Sequence, residues 1–237
     1  MASSGGPGSS TGPGRPTAWM AAAGVLGIAA AVLAGLLVWR WDGNGDAAGT
    51  TSSGPGWAAT GPRAPTHEHA DFAVVIRGER FDFGQPQFIS DTEGKELSEH
   101  VHIHAPRFTV VHVHSTLVTW GEFFQSLGFK LTDPSFPGVT DERTCLELPS
   151  GEKLCNTASE RWSFIANGVP VDGLATVNIG DLDRVLFSYG PETPEEALAK
   201  YWGLVTDQAC IPSELCKARI PADEPPETCS GRGTCTR

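Results

Sequence analysis

The chain carries seven histidines, and every one of them belongs to a His-x-His unit between positions 67 and 114. The units are His67/His69, His100/His102/His104 and His112/His114. Residues i and i+2 of a β-strand project to the same face, so each unit presents its imidazoles side by side. This spacing suits a single metal ion, and the pattern therefore predicts a metal site on one face of a sheet.

The residues that alternate with these histidines are apolar. They are Ala70, Phe72, Val101, Ile103, Val111 and Val113. Each strand thus has a hydrophobic face for a core, and the histidines occupy its second face. The alternative is a solvated row of histidines on an amphipathic sheet, but the absence of histidine elsewhere favours metal binding. Asp71, Glu68 and Glu99 could add a carboxylate ligand or could be plain surface charges.

The types of potential ligand narrow the choice of metal. Imidazole nitrogen binds zinc, copper, nickel and iron. The two methionines, Met1 and Met20, lie outside the predicted folded domain, which excludes a thioether-based Cu(I) site or a blue-copper site. Disulfide formation would also remove the thiolates. Zn(II) or Cu(II) with nitrogen and oxygen ligands remains. No nucleophile or general base stands out beyond the acids just named, so the sequence does not support a catalytic role.

The chain has six cysteines. Cys145 and Cys155 flank the turn sequence Pro149-Ser150-Gly151, which predicts a hairpin closed by a cross-strand disulfide. The other four lie in a proline-rich tail and are Cys210, Cys216, Cys229 and Cys235. Four cysteines allow three pairings, of which we favour Cys210–Cys216 with Cys229–Cys235. A thiol–disulfide oxidoreductase is the rival interpretation, but its usual Cys-x-x-Cys signature is absent.

An uninterrupted apolar run covers residues 18–39 and is long enough to span the hydrocarbon core of a bilayer. Tryptophans lie at both of its ends, where an interfacial aromatic belt is expected. The run is too long for the hydrophobic region of a cleaved signal peptide. We predict an uncleaved transmembrane helix between a disordered cytoplasmic tail, residues 1–17, and a flexible linker, residues 40–66.

The charge distribution bears on partners and location. The net charge is −11, and all 28 acidic residues follow Trp41. Such a surface repels phosphate backbones, so we expect no nucleic-acid partner, whereas metal cations fit it well.

The tail before the apolar run has Arg15 and no acid, so the positive-inside rule predicts a cytoplasmic N-terminus. All the cysteines lie beyond the run, which predicts that the rest of the chain is extracytoplasmic.

Local signals outline the folded domain, which we place at residues 67–190. Alternating apolar residues predict a hairpin over 70–83 and a strand over 109–116. Asn167-Gly168 predicts the turn of another hairpin, and a further strand is expected over 183–189.

Two capping boxes add short helices to these strands. One begins at Thr119, and the other begins at Thr193 and predicts a helix to about Val205. The helix and a cysteine-rich tail make up residues 191–237. The order of elements predicts an α+β fold with a mostly antiparallel sheet and short helices, in a β-grasp-like order.

Several strings in this chain resemble those of a family of membrane-anchored prokaryotic proteins. The strings are residues 67–72 (HEHADF), 100–104 (HVHIH), 112–114 (HVH), 120–128 (WGEFFQSLG), 179–184 (IGDLDR) and the pair Cys145 and Cys155. The resemblance covers roughly residues 67–216, and some members of the family carry a protein-disulfide isomerase label. It implies that the His-x-His units and the cysteine pair occur together.

The sequence therefore predicts a single-pass membrane protein whose tethered extracytoplasmic domain binds Zn(II) or Cu(II). Its predicted partners are the membrane, the metal ion and other membrane-protein subunits. One alternative is an accessory or structural subunit of a membrane complex that holds no metal. The second alternative is a thiol–disulfide oxidoreductase.

Overall fold

The computed structural model describes residues 61–90 and 95–223. The strands in these ranges are β1 (Pro65–Ile76), β2 (Glu79–Arg80), β3 (Val101–His102), β4 (Val110–Ser115), β5 (Lys130–Thr132), β6 (Cys145–Glu147), β7 (Lys153–Cys155), β8 (Arg161–Ala166), β9 (Val169–Val171) and β10 (Arg184–Gly190). The α-helices are α1 (Trp120–Ser126) and α2 (Pro194–Tyr201). The structure is thus a mixed α+β fold dominated by sheet, with two short helices in the described ranges, as predicted.

The main sheet is built around β1. Its strand order is β3-β4-β1-β10-β8-β9, and β2 also pairs with β1. The pairing of β1 with β10 is parallel, and every other pairing of the described strands is antiparallel. The predicted hairpin over residues 70–83 forms through β2 and through the amide of Phe81, which donates to the carbonyl of Val74 (2.8 Å). The strand β4 pairs with the same edge of β1 over residues 65–71.

A second sheet has the order β5-β6-β7. Cys145 lies directly opposite Cys155 in the β6–β7 hairpin, and the two are joined by the predicted disulfide. Leu146 and Leu154 of this hairpin belong to the same hydrophobic core as the aromatic residues of α1. The small sheet and α1 therefore cover one face of the main sheet together.

The strand β1 is buried on both of its faces. Phe72 and Val74 point into the core that contains α1, whereas Ala73 and Val75 point into a second core with α2. The sequence predicted only the first of these faces, because Ala73 and Val75 find their partners on a helix more than a hundred residues away. Burial on both faces is expected for a strand with a parallel partner.

Both predicted capping boxes are present. Thr119 accepts a hydrogen bond from the amide of Glu122, and the carboxylate of Glu122 accepts one from the Thr119 amide. The box at Thr193 starts α2 in the same way. The helix α2 ends at Tyr201, short of the predicted Val205, and a 3-10 turn containing Gly203 follows it. Glycine is a poor helix former, which agrees with the early end.

No helix within residues 61–90 and 95–223 is long and apolar enough to cross a membrane. The predicted transmembrane helix, residues 18–39, and the tail before it lie outside the described residues. The same holds for most of the predicted linker, whose last residues already belong to β1.

The first turn of α1 generates a testable prediction about stability. The amide of Gly121 donates to the carbonyl of Ala175 (2.9 Å), and a Cβ atom on Gly121 would lie 2.5 Å from that oxygen. We expect Gly121→Ala to lower the free energy of unfolding by about 1–3 kcal/mol, because the backbone at this contact must move to make room for the methyl group. Urea denaturation measures this change. Gly203→Ala is the matched control, since a Cβ atom there meets nothing within 4 Å. Equal stability of the two variants would contradict the close contact.

Candidate metal centre

Strand register brings the three His-x-His units together. In the antiparallel pairing of β1 with β4, His69 lies opposite His112, and in the pairing of β4 with β3, His102 lies opposite His112. The three side chains therefore form a row across adjacent strands. Opposite residues of an antiparallel pair have Cβ atoms about 5 Å apart, so imidazoles in such a row reach one another.

One set of three histidines has the geometry of a ligand group. A ligand atom from each of His67, His69 and His112 lies within 4.8 Å of the other two. The ring centroids of His67 and His69 are 4.5 Å apart, and those of His69 and His112 are 4.7 Å apart. This cluster could hold a metal ion. We refer to it as the first set.

Three more histidines surround the first set. The ring of His104 lies 4.0 Å from that of His112, and the ring of His114 lies 5.2 Å from that of His67. His102 contacts both His104 and His114, with centroid separations of 5.8 and 4.9 Å. We refer to His102, His104 and His114 as the second set. Six of the seven predicted ligands are thus brought into one cluster.

The structure separates His100 from this cluster. Its Nδ1 atom lies 2.9 Å from the hydroxyl of Ser115. In the described part of the chain its ring contacts no other histidine ring. The His-x-His spacing therefore puts His100 directly before β3 but does not bring its ring to the other six.

The centre of the cluster is shielded from solvent. The exposed fractions of His69, His102 and His112 are 1%, 1% and 2%. The segment after α2, residues 205–213, crosses this part of the sheet and contacts it through hydrogen bonds to β1. These three histidines are therefore buried, unlike the solvated row of the alternative interpretation.

The orientation of His69 is set by two residues distant in sequence. Its Nδ1 atom lies 2.7 Å from the hydroxyl of Ser213, and that hydroxyl donates to the carboxylate of Asp181. Because the hydroxyl proton is directed to Asp181, the oxygen accepts from Nδ1–H of His69. The tautomer so favoured carries its lone pair on Nε2, which is the arrangement by which outer residues orient metal-binding histidines.

His102 and His104 are oriented in the same way, but by hydrogen bonds to backbone oxygens. The Nδ1 atom of His102 lies 3.3 Å from the carbonyl of Ser98, and that of His104 lies 2.7 Å from the carbonyl of Ala105. A carbonyl only accepts hydrogen bonds, so each Nδ1 carries the proton and each lone pair is on Nε2. A carboxylate oxygen of Glu96 also lies 3.9 Å from Nδ1 of His102 and adds negative charge.

The carboxylate of Asp71, a predicted candidate ligand, has a different use. It is buried and accepts hydrogen bonds from the hydroxyl of Thr206 and from the amides of Gln208 (2.9 Å) and Ala209 (2.8 Å). A buried carboxylate requires such partners, and here they attach residues 205–213 to the sheet. The guanidinium of Arg184 donates to two carbonyls of the same segment and reinforces the attachment.

The two other candidate carboxylates lie apart from the cluster. Strand alternation sends Glu68 to the face opposite His69, where it accepts from the hydroxyl of Thr66. Glu99 is exposed and belongs to no metal-compatible group in the described ranges. The cluster therefore offers imidazole nitrogens as its main donors.

A disulfide closes the turn that carries Ser213. Cys210 and Cys216 are bonded, as predicted, and the carbonyl of Cys210 accepts from the amide of Cys216. Outside this turn, Arg219 donates to Asp207 (2.7 Å) and lowers the pKa of that carboxyl. Cys229 and Cys235 lie outside the described residues.

Sequence reasoning missed the residues that orient the histidines. Ser213 and Asp181 are far from the His-x-His units, and a lone serine or aspartate carries no local signal. Asp181 did fall in one of the strings that resemble the prokaryotic family, but nothing in that string indicated a role. The backbone acceptors at Ser98 and Ala105 have no side-chain signature at all.

The contact between Ser213 and His69 can be tested by substitution. We expect Ser213→Ala to weaken zinc binding about 10- to 100-fold, because the ring loses the hydroxyl that fixes its tautomer. Affinity would be measured by competition with a chromophoric chelator. Ser213→Thr, which retains the hydroxyl, serves as the control and should bind within a few-fold of the parent chain. Unchanged affinity in Ser213→Ala would show that the contact has no part in metal binding.

Comparison of the chain with models of protein families, with curated proteins and with solved structures found no match in any of the three. The resemblance described from the motifs thus stays a prediction. The function of this chain has to be inferred from the residues of its own site.

Proposed function

We propose that this chain is a membrane-anchored extracytoplasmic protein whose folded domain binds Zn(II) or Cu(II) through the histidine cluster. The observation that carries the proposal is the first set, in which ligand atoms of His67, His69 and His112 lie within 4.8 Å of one another. Two of these three side chains are buried, and the orientation of one is fixed by Ser213.

The spacing of the first set fits a small divalent ion after modest adjustment. A tetrahedral zinc ion with ligand bonds of about 2.0–2.1 Å holds its nitrogens about 3.3 Å apart. Small rotations of the side chains would bring nitrogens that lie within 4.8 Å to this separation. Three imidazoles leave a fourth position for water or for another ligand.

The restriction to Zn(II) or Cu(II) follows from the donors. In the described residues the cysteines are paired in disulfides, so no thiolate is present there. Imidazole nitrogen suits both ions. The excess of acidic residues after Trp41 makes the surroundings attractive to either cation.

Two further observations support the extracytoplasmic location. The disulfides Cys145–Cys155 and Cys210–Cys216 are typical of proteins in oxidising compartments. The apolar run at residues 18–39 has the length of a membrane span.

We also infer a β-grasp-like architecture for the domain. The strands β1 and β4 precede α1, and β8 and β10 follow it. In the sheet these four strands lie in the order β4-β1-β10-β8, with the parallel pair at the centre. This is the strand order that the name describes, and it carries no function by itself.

Elemental analysis of substituted chains tests the metal site. We expect the full-length chain, purified in detergent without a histidine tag and dialysed against a weak chelator, to retain at least one equivalent of zinc or copper. His69→Ala combined with His112→Ala should lose that ion, because only His67 of the first set remains. His100→Ala is the matched control and should retain the metal. A double variant that retains as many equivalents as the parent chain, or a parent chain without metal after reloading with both ions, would refute the proposal.

Membrane attachment is tested separately. When expressed in bacteria, the full chain should sediment with membranes and resist extraction by alkaline carbonate, because about twenty apolar residues suffice to span the bilayer. A chain lacking residues 18–39 should be released. Protease added outside spheroplasts should degrade the domain after residue 60. Full-length protein in the soluble fraction, or a domain protected from external protease, would contradict the proposed topology.

A further inference from the structure

The second set has ring spacings suited to one ion. An imidazole bound at about 2.0–2.1 Å has its centroid about 3 Å from the metal, so two such rings on a tetrahedral ion lie about 5 Å apart. The centroids of His102 and His114 are 4.9 Å apart, and those of His102 and His104 are 5.8 Å apart. The ring of His102 therefore lies at the separation from His114 that a shared ion would produce, and slightly beyond that separation from His104.

The tautomers of two members of the second set also favour a metal. The Nδ1–H groups of His102 and His104 are both directed at backbone carbonyls, which leaves the lone pairs on Nε2. Glu96, close to His102, supplies negative charge to the same region. Solvated histidines would have no need of such fixed orientation.

The two sets adjoin each other through β4, which contributes His112 to the first and His114 to the second. The ring of His104 lies 4.0 Å from that of His112, and the ring of His67 lies 5.2 Å from that of His114. Six imidazoles are more than one tetrahedral ion can use, since its coordination is complete with four ligands. Two groups of three account for all six.

We infer that the cluster is a two-ion centre, in which His67, His69 and His112 bind one ion and His102, His104 and His114 bind a second. This inference rests on the proposed metal binding and extends it. Among the described residues only the first set has one ligand atom from each of its three histidines within 4.8 Å of the other two, so the second set must contract further and fills second. Neighbouring divalent ions also repel, and a hydroxide or another anionic oxygen ligand between them would offset that repulsion.

The stoichiometry of the full-length chain tests the inference, with Zn(II) and Cu(II) alone as the probes. We expect two equivalents at saturation, bound in two steps of different affinity. His102→Gln combined with His104→Gln should reduce this to one equivalent and leave the tighter step unchanged. His100→Gln is the control and should keep both. Since His102 is buried, His104→Gln alone, at a half-buried position, provides a second variant in which folding is less at risk.

Electron paramagnetic resonance of the copper-loaded chain provides an independent readout. Two adjacent Cu(II) ions should give a signal broadened by their interaction, whereas the His102/His104 double variant should give that of an isolated ion. A thermal melt of each variant verifies that it is folded.

The outcomes separate this inference from the proposed function. One equivalent that is lost with His69 and unaffected by the His102/His104 variants would overturn the second site and leave the first intact. One equivalent lost with either set would indicate a single mixed site and would also overturn the two-ion centre. No bound metal in any chain would overturn both.

Discussion

The register between β1 and β4 is the constraint on which the histidine cluster depends. It sets His69 opposite His112, and the matching register of β3 adds His102 to the row. A slip by one residue would send every side chain of a strand to the other face, which would place imidazoles in the hydrophobic core and expose valines. Burial of Phe72 and Val111 on one face therefore enforces the meeting of the histidines on the other.

The second face of the main sheet has two regions, one packed against α2 and one that carries the histidines. Over β1, β10 and β8 it is covered by α2, whereas over β3, β4 and the start of β1 it carries histidines. Asp71 lies between these two regions. Its buried carboxylate accepts hydrogen bonds from the amides of residues 208 and 209. These bonds hold the segment that runs from α2 across to Ser213. One ionic group thus links the apolar packing to the orientation of His69.

The cover formed by residues 205–213 changes the chemistry available to the cluster. Burial excludes water from His69 and His112, which strengthens electrostatic interactions with any bound cation. The Cys210–Cys216 disulfide limits the conformations open to the turn that carries Ser213. A site of this kind is better prepared to hold an ion than histidines on a flexible surface would be, because less ordering is needed on binding.

Local sequence patterns predicted many of the secondary-structure elements, because strand alternation, helix capping and tight turns depend on only a few neighbouring residues. The boxes at Thr119 and Thr193 and the hairpin disulfide Cys145–Cys155 are confirmed on that basis. Which histidines meet depended on contacts between distant strands: six converge, and His100 turns to Ser115. The burial of the cluster, the role of Asp71 and the hydrogen bond that His69 donates to Ser213 likewise arise from residues more than a hundred positions apart. A period-two pattern defines a face, but register and cover are fixed by the packing of the whole chain.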